Sequence, residues 1–324
     1  MSPRPYAGAA GAFAAAALLL GASSASAHTI VGDRVFPATL AIDDPGVNDE
    51  LSLPVFSQIT AENFDGTTGP KTYTLGGEYS KTITANWQVS IGSEGVTFQR
   101  NPKATGFANI EVGTKYVFYQ NPASEFIFAG GVGVEIGGTG SPPSSALPAD
   151  QFTTVTPSLY VGTGFGDAPV DWMKPFAVTG EVSYSIPTVI RDPIDGSQVP
   201  NVLTYGGSIQ YSLLYRNAFV EEVPNPFKKL IPAFEGVFQT PVANTGPSNP
   251  GDFSVHETTG VVGPSLYYIG TYYELGVMMQ VPINAASGKH PGVMAILDFF
   301  LDDIAPTTLG KPLFGPPQAR RTTY

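Results

Sequence analysis

The stretch Thr82–Gly92, TITANWQVSIG, sorts its side chains completely by parity. Thr82, Thr84, Asn86, Gln88 and Ser90 fall on one face, and Ile83, Ala85, Trp87, Val89 and Ile91 on the other. A period of two is that of an extended strand whose faces meet different surroundings. The same sorting recurs over Phe107–Tyr119, Glu125–Ile136, Lys174–Ile186 and Val202–Arg216. Weaker candidates lie at 51–60, 71–80, 152–165, 230–240, 258–268, 271–282 and 292–302, some holding Pro54, Pro157, Pro232 or Pro264. Proline cannot donate to a ladder, so those strands are expected to bulge or end there. The best runs are longer than the five or six residues of an average globular strand and match the ~9–11 of a tilted strand crossing a bilayer.

Composition narrows the alternatives. Only 13% of the 324 residues are charged, roughly half the usual share of a soluble domain. The 37 Gly and 30 Pro are too many for a helical bundle, and 11% aromatic residues argue against disorder. With no Cys, disulfide scaffolds, thiol nucleophiles and thiolate zinc sites are excluded. A net charge of -11 disfavours a nucleic-acid partner, which requires a basic surface.

Residues 1–27 read as a signal peptide. Arg4 gives the basic start, residues 7–22 a short apolar core, and Ala25-Ser26-Ala27 the cleavage pattern, with the cut after Ala27. No later segment is a continuous apolar run of helical membrane-spanning length. Short connections (near 81, at Asn121-Pro122, and at Ile269-Gly270) alternate with long polar ones at 93–106, 138–151, 188–201 and 241–257. Outer-membrane barrels show this asymmetry, with short periplasmic turns and long external loops.

The expected fold is therefore all-β: a transmembrane antiparallel up-and-down β-barrel of about 12 strands. Its parts are a signal peptide (1–27), a periplasmic N-terminal segment (28–50), the barrel (51–302) and a periplasmic C-terminal tail (303–324). The competing fold is a secreted or periplasmic soluble barrel or sandwich binding protein. Against it stand polar faces of Thr, Ser, Gln and Gly rather than Lys and Glu, and Tyr73, Tyr79, Tyr119, Tyr215 and Tyr273 near strand ends, as in an aromatic girdle.

The stretch Gly263-Pro264-Ser265-Leu266-Tyr267-Tyr268-Ile269-Gly270, with Leu275-Gly276-Val277 and Gln280-Val281-Pro282-Ile283-Asn284, resembles the C-terminal hairpin of proteobacterial outer-membrane barrels. It is most similar to the transporter barrels grouped as phenol-degradation MetA-pathway-like proteins. The resemblance covers some twenty residues of the 324 and implies an outer-membrane transport role. Such barrels commonly finish on an aromatic residue, whereas here the last strand ends around Phe299–Leu301 and the chain continues.

Enzyme signatures are scarce. Gly162-x-Gly164-x-Gly166 lies in a strand without the helix a dinucleotide fold requires. Ser254-Val255-His256-Glu257 supplies the residue types of a lipid hydrolase, in a loop without a scaffold; an ordinary loop histidine is the plainer reading. His28 at the mature N-terminus could chelate copper only if His256 or His290 converged on it, and those lie in loops expected at the opposite side. Asp43–Glu50 offers oxygen ligands but lacks the spacing of a calcium loop, so it reads as a solvated turn. No cofactor or metal is implied. The expected lumen-lining ionisable residues are Glu78, Glu111, Lys115, Glu125, Glu135, Glu181, Arg216, Glu235 and Glu274. A lumen so acidic favours cations, or else its charges pair and plug the barrel. The expected function is a non-enzymatic outer-membrane channel or transporter for a small-molecule solute, with membrane lipid as the other partner.

Overall fold

In a computed structural model of the chain, residues 29–315 are described, apart from 64–65, 195 and 246–256. The signal peptide, His28 and His256 thus lie outside the described residues. Two short strands, β1 (Thr29–Val31) and β2 (Arg34–Phe36), form a separate hairpin. The barrel follows: β3 (Glu50–Glu62), β4 (Thr68–Thr84), β5 (Trp87–Arg100), the short β6 (Ala104–Phe107), β7 (Ile110–Asn121), β8 (Phe126–Ile136), β9 (Thr154–Gly164), β10 (Phe176–Pro187), β11 (Asn201–Tyr211), β12 (Leu230–Ala243), β13 (Thr259–Ile269), β14 (Tyr273–Pro282) and β15 (His290–Phe300). Every pairing is antiparallel between sequence neighbours, with β6 a flap on β5, and β15 returns to pair with β3. Twelve strands close the ring, as the alternation predicts.

Both ends of the ring strands' chain, Glu50 and Phe300, stand opposite each other at one rim, here the terminus end. The connections at the far end include 137–153 and 188–200, while those at the terminus end include 85–86, 122–125 and 270–272. The asymmetry is imperfect, because 165–175 and 212–229 are long connections at the terminus end. The second carries helix α1 (Leu213–Phe219), whose first turn is capped by Ser212 Oγ accepting from Tyr215 N at 3.0 Å.

Several expected boundaries change. Thr82–Gly92 is not one strand but the tip of a hairpin, with a turn at 85–86. A bulge beside the turn pairs Thr82 with Gln88 and Thr84 with Trp87, so alternation crosses the turn without breaking. The expected loop 93–106 is mostly strand, because β5 runs on to Arg100 and β6 pairs back onto it. Pro54 sits in a bulge, and Pro157 and Pro264 lie where the β9–β10 and β13–β14 ladders are interrupted.

Outward positions are apolar around the wall: Leu75, Phe98, Phe118, Leu159, Ile209, Phe234, Val277 and Met279 are all exposed. Even the outward Trp87 indole is satisfied within this face, donating to Thr114 Oγ1 at 2.6 Å. Such a band is stable against hydrocarbon and not against water. The buried core lies inside the ring: Ile30, Val35 and Leu40 pack with inward Ile231, Tyr267 and Met278, and Val31, Phe36 and Val47 pack with Val117, Ile127 and Ala129.

That core exists because the N-terminal segment fills the barrel. Residues 29–49, within the expected N-terminal segment 28–50, are largely buried inside the ring, and the Asp43–Glu50 stretch is not the solvated turn expected of it. Their lack of strand period gave no sign of a docking face, and apolar Ile30, Val35, Phe36 and Leu40 find shelter only inside. At the C-terminus, helix α2 (Leu301–Ile304) and the following residues dock on the rim. Lys81 Nζ donates to Asp49 Oδ1 at 2.7 Å and to the Leu309 and Lys311 carbonyls at 2.8 Å, and Phe314 N donates to Ile83 O at 2.8 Å.

Asp302 in α2 is held well above its ordinary 3.8 by burial, with the Asp303 and Asp49 charges adding to it. A proton retained on folding makes stability fall as pH rises from the ordinary value toward the folded one. Unfolding temperature is expected to decline as pH rises above that ordinary value, and Asp302→Asn to flatten the decline. Val277→Arg, at the middle of β14 facing outward, is expected to cost about 2–4 kcal/mol in bilayer unfolding; an unchanged midpoint would contradict a lipid-facing wall.

Candidate functional site: a stoppered acidic lumen

A chain threaded through a barrel without joining its sheet leaves main-chain donors without ladder partners. Wall side chains accept them. Ala38 N donates to Glu274 Oε2 (3.4 Å), Leu40 N to Tyr267 OH (2.9 Å), Ala41 N to Glu235 Oε2 (2.9 Å), Asp43 N to Glu181 Oε2 (3.0 Å) and Asn48 N to Gln88 Oε1 (2.7 Å). In the reverse sense, Gln120 Nε2 donates to Ile30 O and Lys115 Nζ to Asp44 O. Glu235 is also accepted into contact by Ser265 Oγ and Tyr267 OH, both of which donate to its Oε1.

The hairpin tip is latched at the rim. Gly32, at φ +63°, passes so close to the 122–125 turn that a Cβ would lie 2.2 Å from Pro122 O. Buried Arg34 donates through Nε to Glu125 Oε2 at 3.0 Å, through Nη1 to Pro175 O at 3.0 Å and through Nη2 to Lys174 O, and its guanidinium lies 4.0 Å from the Tyr215 ring centre. Burial, and then the Glu125 charge, push Tyr215 up to about 12, so a neutral phenol faces the cation.

Above the stopper lies a partly open chamber of about 210 Å³, bounded by Asp43, Glu78, Glu111, Lys115, Tyr160 and Glu181. Lys115 is its cation: Nζ pairs with Asp43 Oδ2 at 2.6 Å and lies 4.7 Å from the Tyr160 ring. Toward the far end a vestibule of about 520 Å³ is bounded by Glu94, Glu111, Glu135 and Asp150, with Phe107 and Leu147. Asn109 fixes its wall, donating to Glu135 Oε1 and to Asp150 O, both at 2.8 Å. Glu111 borders both spaces.

Strand register arranges the acids further. Glu135 stands opposite Glu111, Glu111 opposite Gly92, Gly92 opposite Glu78, Glu78 opposite Ser52, Ser52 opposite Asp298 and Asp298 opposite Glu274. Five carboxylates thus share one hydrogen-bonding row across seven strands. Strand tilt makes such a row climb the wall: Glu135 is near the far end of β8, and Glu274 near the terminus end of β14. Like charges directly opposite each other destabilise a sheet, so stability does not explain the row. Space for it is reserved, since a Cβ on Gly133 would lie 2.4 Å from Glu111 Oε1.

No family model matches the chain, and no curated protein sequence matches it. Among solved structures, an outer-membrane channel from Pseudomonas putida F1 is similar over 82% of this chain and 98% of that one, at 12% identity and a TM-score of 0.54. The chain has the fold of an outer-membrane β-barrel. The NanC porin covers 76% of this chain (98% of its own, 10% identity, TM-score 0.46), and the KdgM porin 77% (98% of its own, 11% identity, TM-score 0.43).

Of the sequence candidates, Glu78, Glu111, Lys115, Glu135 and Glu181 border the open spaces, and Glu235 and Glu274 hold the stopper. Glu125 sits in the 122–125 turn, not on a strand, and serves the Arg34 latch. Arg216 is not in the lumen: β11 ends at Tyr211, and Arg216 lies on α1, pairing with Glu221 and Tyr211. The doublet Leu213-Leu214 breaks the strand period there and marks the change. Gln88, Ser52, Tyr267 and Asp298 were missed; the parity of Tyr267 with Ser265, and a lone Asp in ILDFF, were their signals. His290 is exposed at the start of β15 at the far end.

Arg34→Ala leaves Glu125 buried without its cation and is expected to cost about 3–5 kcal/mol of stopper docking. Limited proteolysis should then cut within 29–49 while the barrel resists; equal resistance in variant and wild type would show that Arg34 does not latch the segment.

Proposed function

We propose that this protein is a non-enzymatic outer-membrane channel for small solutes, exported by the signal peptide 1–27, with a conduit that favours cations. The far-end loops face outward and the rim carrying Glu50 and Phe300 faces the periplasm, in keeping with the long connections 137–153 and 188–200 at the far end. The in-register carboxylate row carries the proposal. It begins in the vestibule at Glu135, passes Glu111 into the chamber beside Glu78, and ends at the buried Asp298 and Glu274 behind the stopper, so a cation in either open space faces carboxylate oxygens. Rings of carboxylates select cations in pores by setting the local field. The resemblance of residues 263–284 to phenol-degradation MetA-pathway-like transporter barrels, and the fold shared with a P. putida channel, support a transport role.

The stopper sets the conductance. With 29–49 docked, the passage narrows to the space beside Asp43 and Lys115. Deleting 29–49 after the signal sequence is expected to raise single-channel conductance severalfold in planar bilayers. In a salt gradient, Glu111→Gln and Glu135→Gln are expected to move the reversal potential toward zero. A wild type that conducts nothing, even without the stopper, would overturn the proposal; unchanged selectivity in both Gln variants would remove the row as its basis.

A further inference from the structure

The last two carboxylates of the row differ from the others. Glu274 and Asp298 are opposite neighbours on β14 and β15, and both are 0% exposed. Side chains so placed have Cβ atoms about 4.5–5.5 Å apart. Glu274 Oε2 accepts from the stopper's Ala38 N, and Asp298 Oδ1 accepts from Ser52 Oγ at 3.0 Å. The other oxygen of each, Glu274 Oε1 and Asp298 Oδ2, is buried with no hydrogen-bond partner. Two buried carboxylates cannot both stay ionised side by side without a counter-charge.

The described residues around them do not supply one. Neither β14, β15 nor the adjoining β3 contains Lys or Arg. The basic side chains reaching the interior already face acids: Arg34 with Glu125, Lys115 with Asp43 and Lys81 with Asp49. Glu50, paired in register with Phe300 two residues beyond Asp298, is a further acid and not a cation on the same side.

We propose that a hard divalent cation is bound between Glu274 Oε1 and Asp298 Oδ2, with the Ser52 hydroxyl beside it. The donors are all oxygen, which selects Mg²⁺ or Ca²⁺ over softer metals. Among the described residues no three acidic or imidazole side chains converge into a closed cage, so retained water completes the shell. Two carboxylates plus water is the habit of Mg²⁺, which sheds its hydration reluctantly. Since Glu274 also holds Ala38, the ion couples the stopper to the wall across the β3–β15 closure. This inference rests on the buried pair and not on conduction, and is read at binding equilibrium.

The test uses the full mature chain in detergent, stripped with chelator, with MgCl₂ or CaCl₂ as titrant. Calorimetry is expected to show saturable one-site binding, and the temperature at which the folded band is lost on a gel should rise with either ion. Glu274→Gln and Asp298→Asn should each abolish the heat of binding, while Asp171→Asn, an exposed acid paired with Lys174, should retain it. Ser52→Ala, which removes no charge, should weaken binding by several-fold and keeps the test open if the charge variants do not fold. Absence of wild-type binding overturns the proposal, as does binding that survives in the folded charge variants. Ion-indifferent melting that rises as pH falls also overturns it, because protons would then neutralise the pair.

Discussion

A polypeptide inside a barrel, outside its hydrogen-bond ladder, must find an acceptor for each main-chain N–H or leave it unsatisfied. That requirement organises this molecule. Segment 29–49 enters the lumen to shelter its apolar side chains, and the wall meets its backbone with Glu274, Tyr267, Glu235, Glu181 and Gln88 in turn. Carboxylates suit the task because each offers two oxygens. One binds the stopper while the other serves a neighbour, as when Glu235 takes Ala41 N on one side and Ser265 and Tyr267 on the other.

The acidity of the lumen consequently has two origins. Glu235 and Glu181 are engaged with backbone, and their charge is a by-product of holding a strandless segment. Glu111, Glu135 and Glu78 contact no stopper N–H and stand along open space. The two groups look alike in the sequence, where each is an isolated Glu on a polar face. Open space and plug, opposed as alternatives on sequence grounds, occur at different levels of one barrel.

Much of the fold was legible because a strand with lipid on one side must alternate, as β8, β10 and β11 do throughout and β7 does up to its bulge at Val117–Tyr119. The parity rule also placed Glu78, Glu111, Lys115, Glu181, Glu235 and Glu274 inward. It failed where alternation survives a change of structure. A bulge restores parity across the 85–86 turn, and Ser212, still in step with β11, already caps α1 before the Leu213-Leu214 doublet breaks the period. The shared row of Glu135, Glu111, Glu78, Asp298 and Glu274 could not be read at all, since register depends on turns, bulges and shear. The stopper was invisible for a simpler reason: it has no repeating backbone geometry to impose a period.

The closure between β3 and β15 is the pairing with the largest separation in the chain, and the acidic row runs through it at Ser52 and Asp298. The stopper immediately precedes β3, yet its partners are spread over β5, β7, β10, β12, β13 and β14. Those partners surround it only in the finished cylinder. That edge-to-edge join both brings Asp298 beside Ser52 and completes the wall around the segment. A cylinder that closed first would have to admit that segment endwise, past its own rim.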